Sequence, residues 1–149
     1  MAFYIELIEK FDHPADKIFA LLTDVSRQPE WIAEVEAVSR LPELPLQVGS
    51  TFELSAKYFG RSVTIHQEIV GLEPNRLLKL ESTGTMPTIT SWWLEADGSG
   101  TNVQFEFEGR PEGLYDMIAP GLEGQIRRGF ETQLQSLKAL LDAAETSKA

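Results

Sequence analysis

The chain has 149 residues, a formal net charge of -10 and no cysteine. Its length suits a single domain over residues 1–149 and allows a sizeable core without a disulfide or metal staple. The missing thiols exclude disulfides, thiolate metal sites and cysteine nucleophiles. Acidic residues spread along the whole chain keep a protein soluble and repel phosphate backbones and anionic lipid headgroups, so nucleic acid is not an expected partner.

The N-terminal segment interrupts its apolar residues with Glu6 and Glu9, unlike a signal peptide. No run approaches the roughly 18 consecutive apolar residues of a membrane span. A cytoplasmic protein without a membrane span is therefore expected. Ala2 to Phe11 is rich in aromatic and β-branched residues and reads as a strand ending at Asp12-His13-Pro14. Pro14 suits the first position of a helix, Asp16 lies near its positive end, and Ile18, Leu21 and Leu22 form its apolar stripe. Asp24-Val25-Ser26 breaks that helix, and a second short one over about Gln28 to Ala33 carries Trp31.

Six further strands are predicted. Val35 to Leu41 precedes a loop with Pro42 and Pro45. Gly49 to Phe59 places Phe52, Leu54, Ala56 and Tyr58 on one face and Glu53, Ser55 and Lys57 on the other, as a half-buried antiparallel strand requires. Past the turn at Gly60-Arg61, Ser62 to Gly71 sets Val63, Ile65, Gln67 and Ile69 against Thr64, His66 and Glu68. Glu73-Pro74-Asn75 is a turn by composition. Leu77 to Thr83 aligns Leu78, Leu80 and Ser82, and Thr88 to Ala96 aligns Thr88, Thr90, Trp92 and Leu94. Asp97-Gly98-Ser99-Gly100 is a strong hairpin signal, after which Val103, Phe105 and Phe107 alternate with polar residues. Short connections make these strands an antiparallel meander, and its apolar face must be covered.

The C-terminal segment supplies the cover, with apolar residues at Leu114, Ile118, Leu122, Ile126, Phe130, Leu134, Leu137 and Leu141. At about 100° per residue, a spacing of four drifts by about 40° per step, so one straight helix would carry this stripe to its far side. Pro120-Gly121 offers a break. A short helix over Leu114 to Ala119 and a long one over about Leu122 to Ala144 are the expectation.

The order strand, two short helices, six strands, long helix resembles the START-like (SRPBCC) superfamily in its polyketide cyclase/dehydrase branch. The resemblance rests on Pro14-Ala15-Asp16-Lys17-Ile18-Phe19 opening the first helix, Trp31, Val48-Gly49-Ser50-Thr51-Phe52, and Leu72-Glu73-Pro74-Asn75-Arg76-Leu77. It continues through Gly98-Ser99-Gly100-Thr101-Asn102-Val103 and a terminal helix with Leu134 and Leu137. It implies an α+β helix-grip fold: a seven-stranded curved antiparallel sheet wrapped around a long C-terminal helix, with a deep cavity between them. Proteins of that superfamily include lipid carriers, quinone binders, aromatase/cyclases and co-chaperones, so fold alone leaves function open.

No glycine-rich phosphate loop, His-Glu-x-x-His or Gly-x-Ser-x-Gly is present, and no cofactor or metal is expected. The two histidines are far apart in sequence: His13 reads as an exposed residue before a helix, and His66 falls on the solvent face unless a β-bulge turns it inward to an acid/base or ligand role. Leu54, Leu80, Trp92, Phe105, Phe107, Met117, Leu122 and Ile126 are the expected pocket wall, though ordinary core packing explains each of them as well. Tyr58, Gln67, Ser82 and Thr90 are polar groups on otherwise apolar faces, suited to orienting a ligand. Three functions compete. The first is a binder of a small hydrophobic molecule (lipid, quinone or aromatic polyketide-like). The second is a cyclase or dehydratase, which would need a proton donor or acceptor in the pocket. The third is a co-chaperone-like interaction module, which would need an exposed apolar patch. Either a monomer or a homodimer is compatible with the sequence.

Overall fold

A computed structural model of the chain describes residues 3–58, 60–83, 87–109 and 114–147, with the side chains at 3, 58, 114–122 and 146–147 outside that description. Strand β1 (Phe3–Phe11) leads into helix α1 (Ala15–Thr23) and a 3-10 helix over Val25–Glu30. Strands β2 (Val35–Ser39), β3 (Thr51–Tyr58), β4 (Arg61–Glu73), β5 (Leu77–Thr83), β6 (Thr88–Asp97) and β7 (Gly100–Gly109) follow, and helix α2 (Leu114–Ser147) ends the chain. The strands form one antiparallel sheet in the order β1-β7-β6-β5-β4-β3-β2. It is the expected meander, closed at one side by β1 returning to pair with β7.

Turn chemistry sets the registers. Asp97 pairs with Gly100 across a two-residue turn, and Gly98 takes the positive φ, 65°, that a tight hairpin needs at its first central position. Asn75 occupies the left-handed region at φ 61°, where asparagine is tolerated, while the Arg76 N–H donates to the Glu73 carbonyl at 3.0 Å. Strand β4 carries a register shift between Ile69 and Gly71, an irregularity of the kind that bends a strand. A Cβ at Gly71 would lie 3.0 Å from the Lys79 Cβ, so glycine lets the bent strand approach its neighbour.

One apolar face of the sheet looks toward α1 and α2. Ile5, Phe11, Phe52, Ala56, Ile69, Leu78, Trp92, Val103 and Phe105 are buried there with Ile18 and Leu22 of α1 and Leu134, Leu137 and Leu141 of α2. Aromatic rings link the layers. Trp31 meets Trp92 edge-on with ring centroids 5.7 Å apart, Trp92 meets Phe105 at 4.8 Å, and Phe130 of α2 sits 4.7 Å from both Phe105 and Phe107.

Three expectations need correction. The C-terminal segment is one 34-residue helix rather than two. Pro120 removes one backbone donor, a local loss that a helix of roughly 50 Å carries without ending. The drift of the stripe assumed that every apolar position must reach one buried face. Leu134, Leu137 and Leu141 are sealed, whereas Ile126 and Phe130 are only half-buried, so the condition holds for the C-terminal half alone. A second correction concerns His13, which is 4% exposed rather than free in solvent. Its Nε2 lies 2.7 Å from the Asp142 carboxylate and its Nδ1 3.5 Å from that of Glu145. Its carbonyl accepts from the Thr101 hydroxyl at 2.8 Å. The second short helix is also shifted, starting at Val25 and stopping before Trp31, whose side chain turns into the core.

A second polar tie runs parallel to the first. Glu9 accepts from Lys138 Nζ and from Gln135 Nε2, each at 2.9 Å, and the Lys138 ammonium lies 5.2 Å from the centroid of the Phe11 ring. The C-terminal half of α2 is thus fastened to β1 and to the β1–α1 junction.

Replacing His13 by alanine is expected to lower stability by about 1–2 kcal/mol, because the exposed carboxylates retain hydration while the buried ring leaves a gap. Urea unfolding of the variant checks this. Gly100→Ala and Gly124→Ala should differ in sign. A Cβ at Gly100 would sit 2.6 Å from the Phe11 carbonyl oxygen, whereas one at Gly124 meets, among the described residues, only the Arg128 guanidinium at 3.7 Å. Thermal unfolding should show Gly100→Ala destabilised and Gly124→Ala stabilised by up to about 1 kcal/mol.

Candidate functional site

The inner face of the sheet is not covered evenly. Along β4, Ile69 is fully buried, Gln67 and Ile65 are half-buried, and Val63 is 40% exposed. Along β6, Trp92 and Leu94 are buried while Thr88 and Thr90 are half-buried. Helix α2 shows the same gradient, from sealed Leu137 back to half-buried Phe130 and Ile126. Phe130 rests on Phe105 and Phe107, both of them buried. The less covered part of this inner face, between the sheet and α2, is termed the cup.

A polar row crosses this cup. Gln67 pairs in register with Ser82, and Ser82 with Thr88, on neighbouring strands β4, β5 and β6. Ser82 is buried and its hydroxyl hydrogen-bonds that of Thr88. Gln67 pairs on its other side with the buried Phe52, and its Oε1 is buried with no hydrogen-bond partner among the described residues. An unanswered buried amide oxygen costs on the order of 1–3 kcal/mol. Gln28 Oε1 and Trp31 Nε1 are also buried and unpartnered, but they belong to the 3-10 helix and its cap at the packed end, where Trp31 stands edge-on to Trp92.

The residues expected at a site therefore separate. Gln67, Thr90 and Ile126 are half-buried, Ser82 lies in the polar row, and Leu80 and Phe107, which flank Thr90 in register, are buried. Trp92 and Phe105 belong to the sealed core, and Leu54 is buried on β3 opposite Ile65. The side chains of Tyr58, Met117 and Leu122 lie outside the described residues. Val63, Ile65 and Phe130 join the site although the sequence did not single them out. The signals were present: Val63 and Ile65 share the alternation of Gln67, and Phe130 follows Ile126 by one helical turn.

His66 takes the outer face, where its Nδ1 lies 3.0 Å from Glu53, whose other oxygen accepts from Arg40 Nε at 3.2 Å. These groups line an outer cleft of about 380 Å³ together with Thr51, Phe52, Gln67, Glu68, Glu81 and Thr83, where Phe52 and Gln67 alternate in sequence with the outward residues of their strands. Its charged lining does not suit an apolar molecule. A smaller cleft of about 210 Å³ lies between Trp31 and Glu34 on one side and Arg128, Gly129, Thr132, Gln133 and Ser136 of α2 on the other. No helix among the described residues is long and apolar enough to cross a membrane.

Residues 9–142 match the family model of polyketide cyclase/dehydrase and lipid transport proteins. No curated protein matches the sequence. Among solved structures, the Zhui aromatase/cyclase from a Streptomyces species is similar at 16% identity and a TM-score of 0.79, covering 95% of this chain and 94% of its own. A START superfamily protein from Mycobacterium smegmatis is similar at 11% identity and a TM-score of 0.80, covering 95% and 98%. A Staphylococcus aureus protein of unknown function is similar at 9% identity and a TM-score of 0.80, covering 98% and 97%. Identities this low speak to the fold, which is the helix-grip architecture. With the family pattern running from Glu9 to Asp142, the chain belongs to the polyketide cyclase/dehydrase and lipid transport family.

Proposed function

We propose that this protein is a cytoplasmic binder of a small hydrophobic molecule, held in the cup between the sheet and the N-terminal half of α2. The observation that carries this reading is the coincident loss of burial on both walls. Val63, Ile65 and Thr90 on the sheet and Ile126 on the helix are apolar or weakly polar, yet they are not sealed as Ile69 and Leu137 are. Leaving apolar surface partly uncovered forgoes about 25 cal/mol for each Å². A ligand recovers that energy by completing the core.

A cyclase or dehydratase activity is the second reading, with Tyr58, whose backbone pairs with Arg61 at the end of β3, as a candidate proton donor. Acid–base chemistry needs an ionisable group within hydrogen-bond reach of the reacting atom. The Glu9 carboxylate already accepts from Lys138 and Gln135, and His13 faces Asp142 and Glu145. The interaction-module reading has less support. Ile8 and Trp93 are exposed on the outer face, but Gln104 stands between them in register, and Tyr4 is set apart by Glu6 and Glu106. These residues do not make a contiguous apolar patch of the size that marks a docking surface.

Native mass spectrometry of protein purified from its host, followed by organic extraction, tests the binder reading. A stoichiometric apolar ligand is the expected result, and a matched substrate–product pair would shift the assignment to an enzyme. An empty protein that also rejects fatty acids, quinones and aromatic polyketides would remove it. Thr90→Trp, which fills the open half of the cup, should weaken binding of the extracted ligand by about tenfold or more while leaving thermal unfolding nearly unchanged, as isothermal titration would show.

A further inference from the structure

We infer that the molecule bound in the cup carries a hydrogen-bond donor, an alcohol, phenol or N–H, that Gln67 Oε1 accepts. The inference rests on the binder reading above and names the chemistry of its ligand. Gln67 stands between Ile65 and Ile69 on the inner face of β4, at the boundary between the open walls and the sealed floor. Its cross-strand neighbours cannot answer it. Phe52 has no polar side-chain atom, and the Ser82 and Thr88 hydroxyls are turned toward each other.

A buried acceptor with no protein partner among the described residues is a poor choice for stability, since leucine would fill the same space without the desolvation penalty. It is a good choice for discrimination. A site built around an acceptor rewards a ligand that brings a donor and penalises an isostere that cannot, because the penalty is then left standing in the complex. Donor-free quinones and esters are disfavoured on this account, and hydroxylated aromatics or sterol-like alcohols are favoured.

The test compares 2-naphthol with 2-methoxynaphthalene by isothermal titration on the full chain. The two share an apolar ring system, and the methyl ether is the more hydrophobic, so burial alone would favour it. The wild type is expected to bind 2-naphthol about tenfold tighter. Gln67→Leu should abolish or invert that preference, and Ser82→Ala should preserve it. Without ligand, Gln67→Leu should unfold at a temperature equal to or above that of the wild type. Equal affinity of the wild type for both probes would overturn the donor assignment while leaving the cup as a binding site, solvent then being what answers Oε1. A marked fall in the unfolding temperature of Gln67→Leu would also overturn it, since the amide would then be serving the protein itself. Binding of neither probe, nor of any member of the apolar panel, would remove the cup reading and this inference together.

Discussion

Everything in this molecule is arranged around the seat of one aromatic ring. Phe130 projects from α2 between Phe105 and Phe107, two residues on the same face of β7, with both centroids 4.7 Å away. Strand β7 is central to the closed side of the sheet because β1 and β6 pair with it on either side. A ring seated there fixes where the helix crosses and which residues fall on each side of the crossing. Toward the C-terminus, Leu134, Leu137 and Leu141 follow at helical spacing and bury completely or nearly so. Toward the N-terminus, Ile126 packs against the core but is only half-buried.

The polar ties reinforce this asymmetry. Glu9 holds Lys138 and Gln135, and His13 faces Asp142 and Glu145, all on the sealed half of the helix. Each tie joins residues more than a hundred positions apart, so it closes the fold from its two ends. The partly exposed pairs among them contribute modestly in water, and their value lies in geometry more than in energy. They pin one end of α2 and leave the other to be positioned by whatever it covers. Local stability should therefore be lowest where the cup opens, which is where a ligand needs the wall to yield.

The division between outer and inner face also explains why charge and chemistry do not meet. Strand alternation sends Glu53, His66, Glu68 and Glu81 outward, where they make the charged cleft, and keeps Gln67, Ser82 and Thr88 inward. A residue one position along the chain belongs to a different solvent. That separation favours binding over acid–base chemistry, because the hydroxyl and amide groups inside can orient a ligand but do not exchange protons readily near neutral pH.

Much of this was legible before any coordinates. Period-two alternation over β3 to β7, the Asp97-Gly98-Ser99-Gly100 turn and the apolar spacing from Ile126 to Leu141 are local signals. Each depends only on residues a few positions apart, so the sequence by itself determined the strands, the meander and their alternation of faces, while the outward His66, which a bulge could have turned inward, was decided by the structure. Only the tertiary structure decided how that face is divided. Nothing within β4 distinguishes sealed Ile69 from half-open Ile65; the difference arises from what α2 and the neighbouring strands place over each. His13 looked like a solvent-facing residue because its partners lie 129 and 132 positions away, and α2 passed through Pro120 because a proline's local loss is set against packing along the rest of the helix. Local pattern fixes periodicity and direction, while the cup, the clamp and the unanswered amide depend on contacts between segments that come together only when the chain folds.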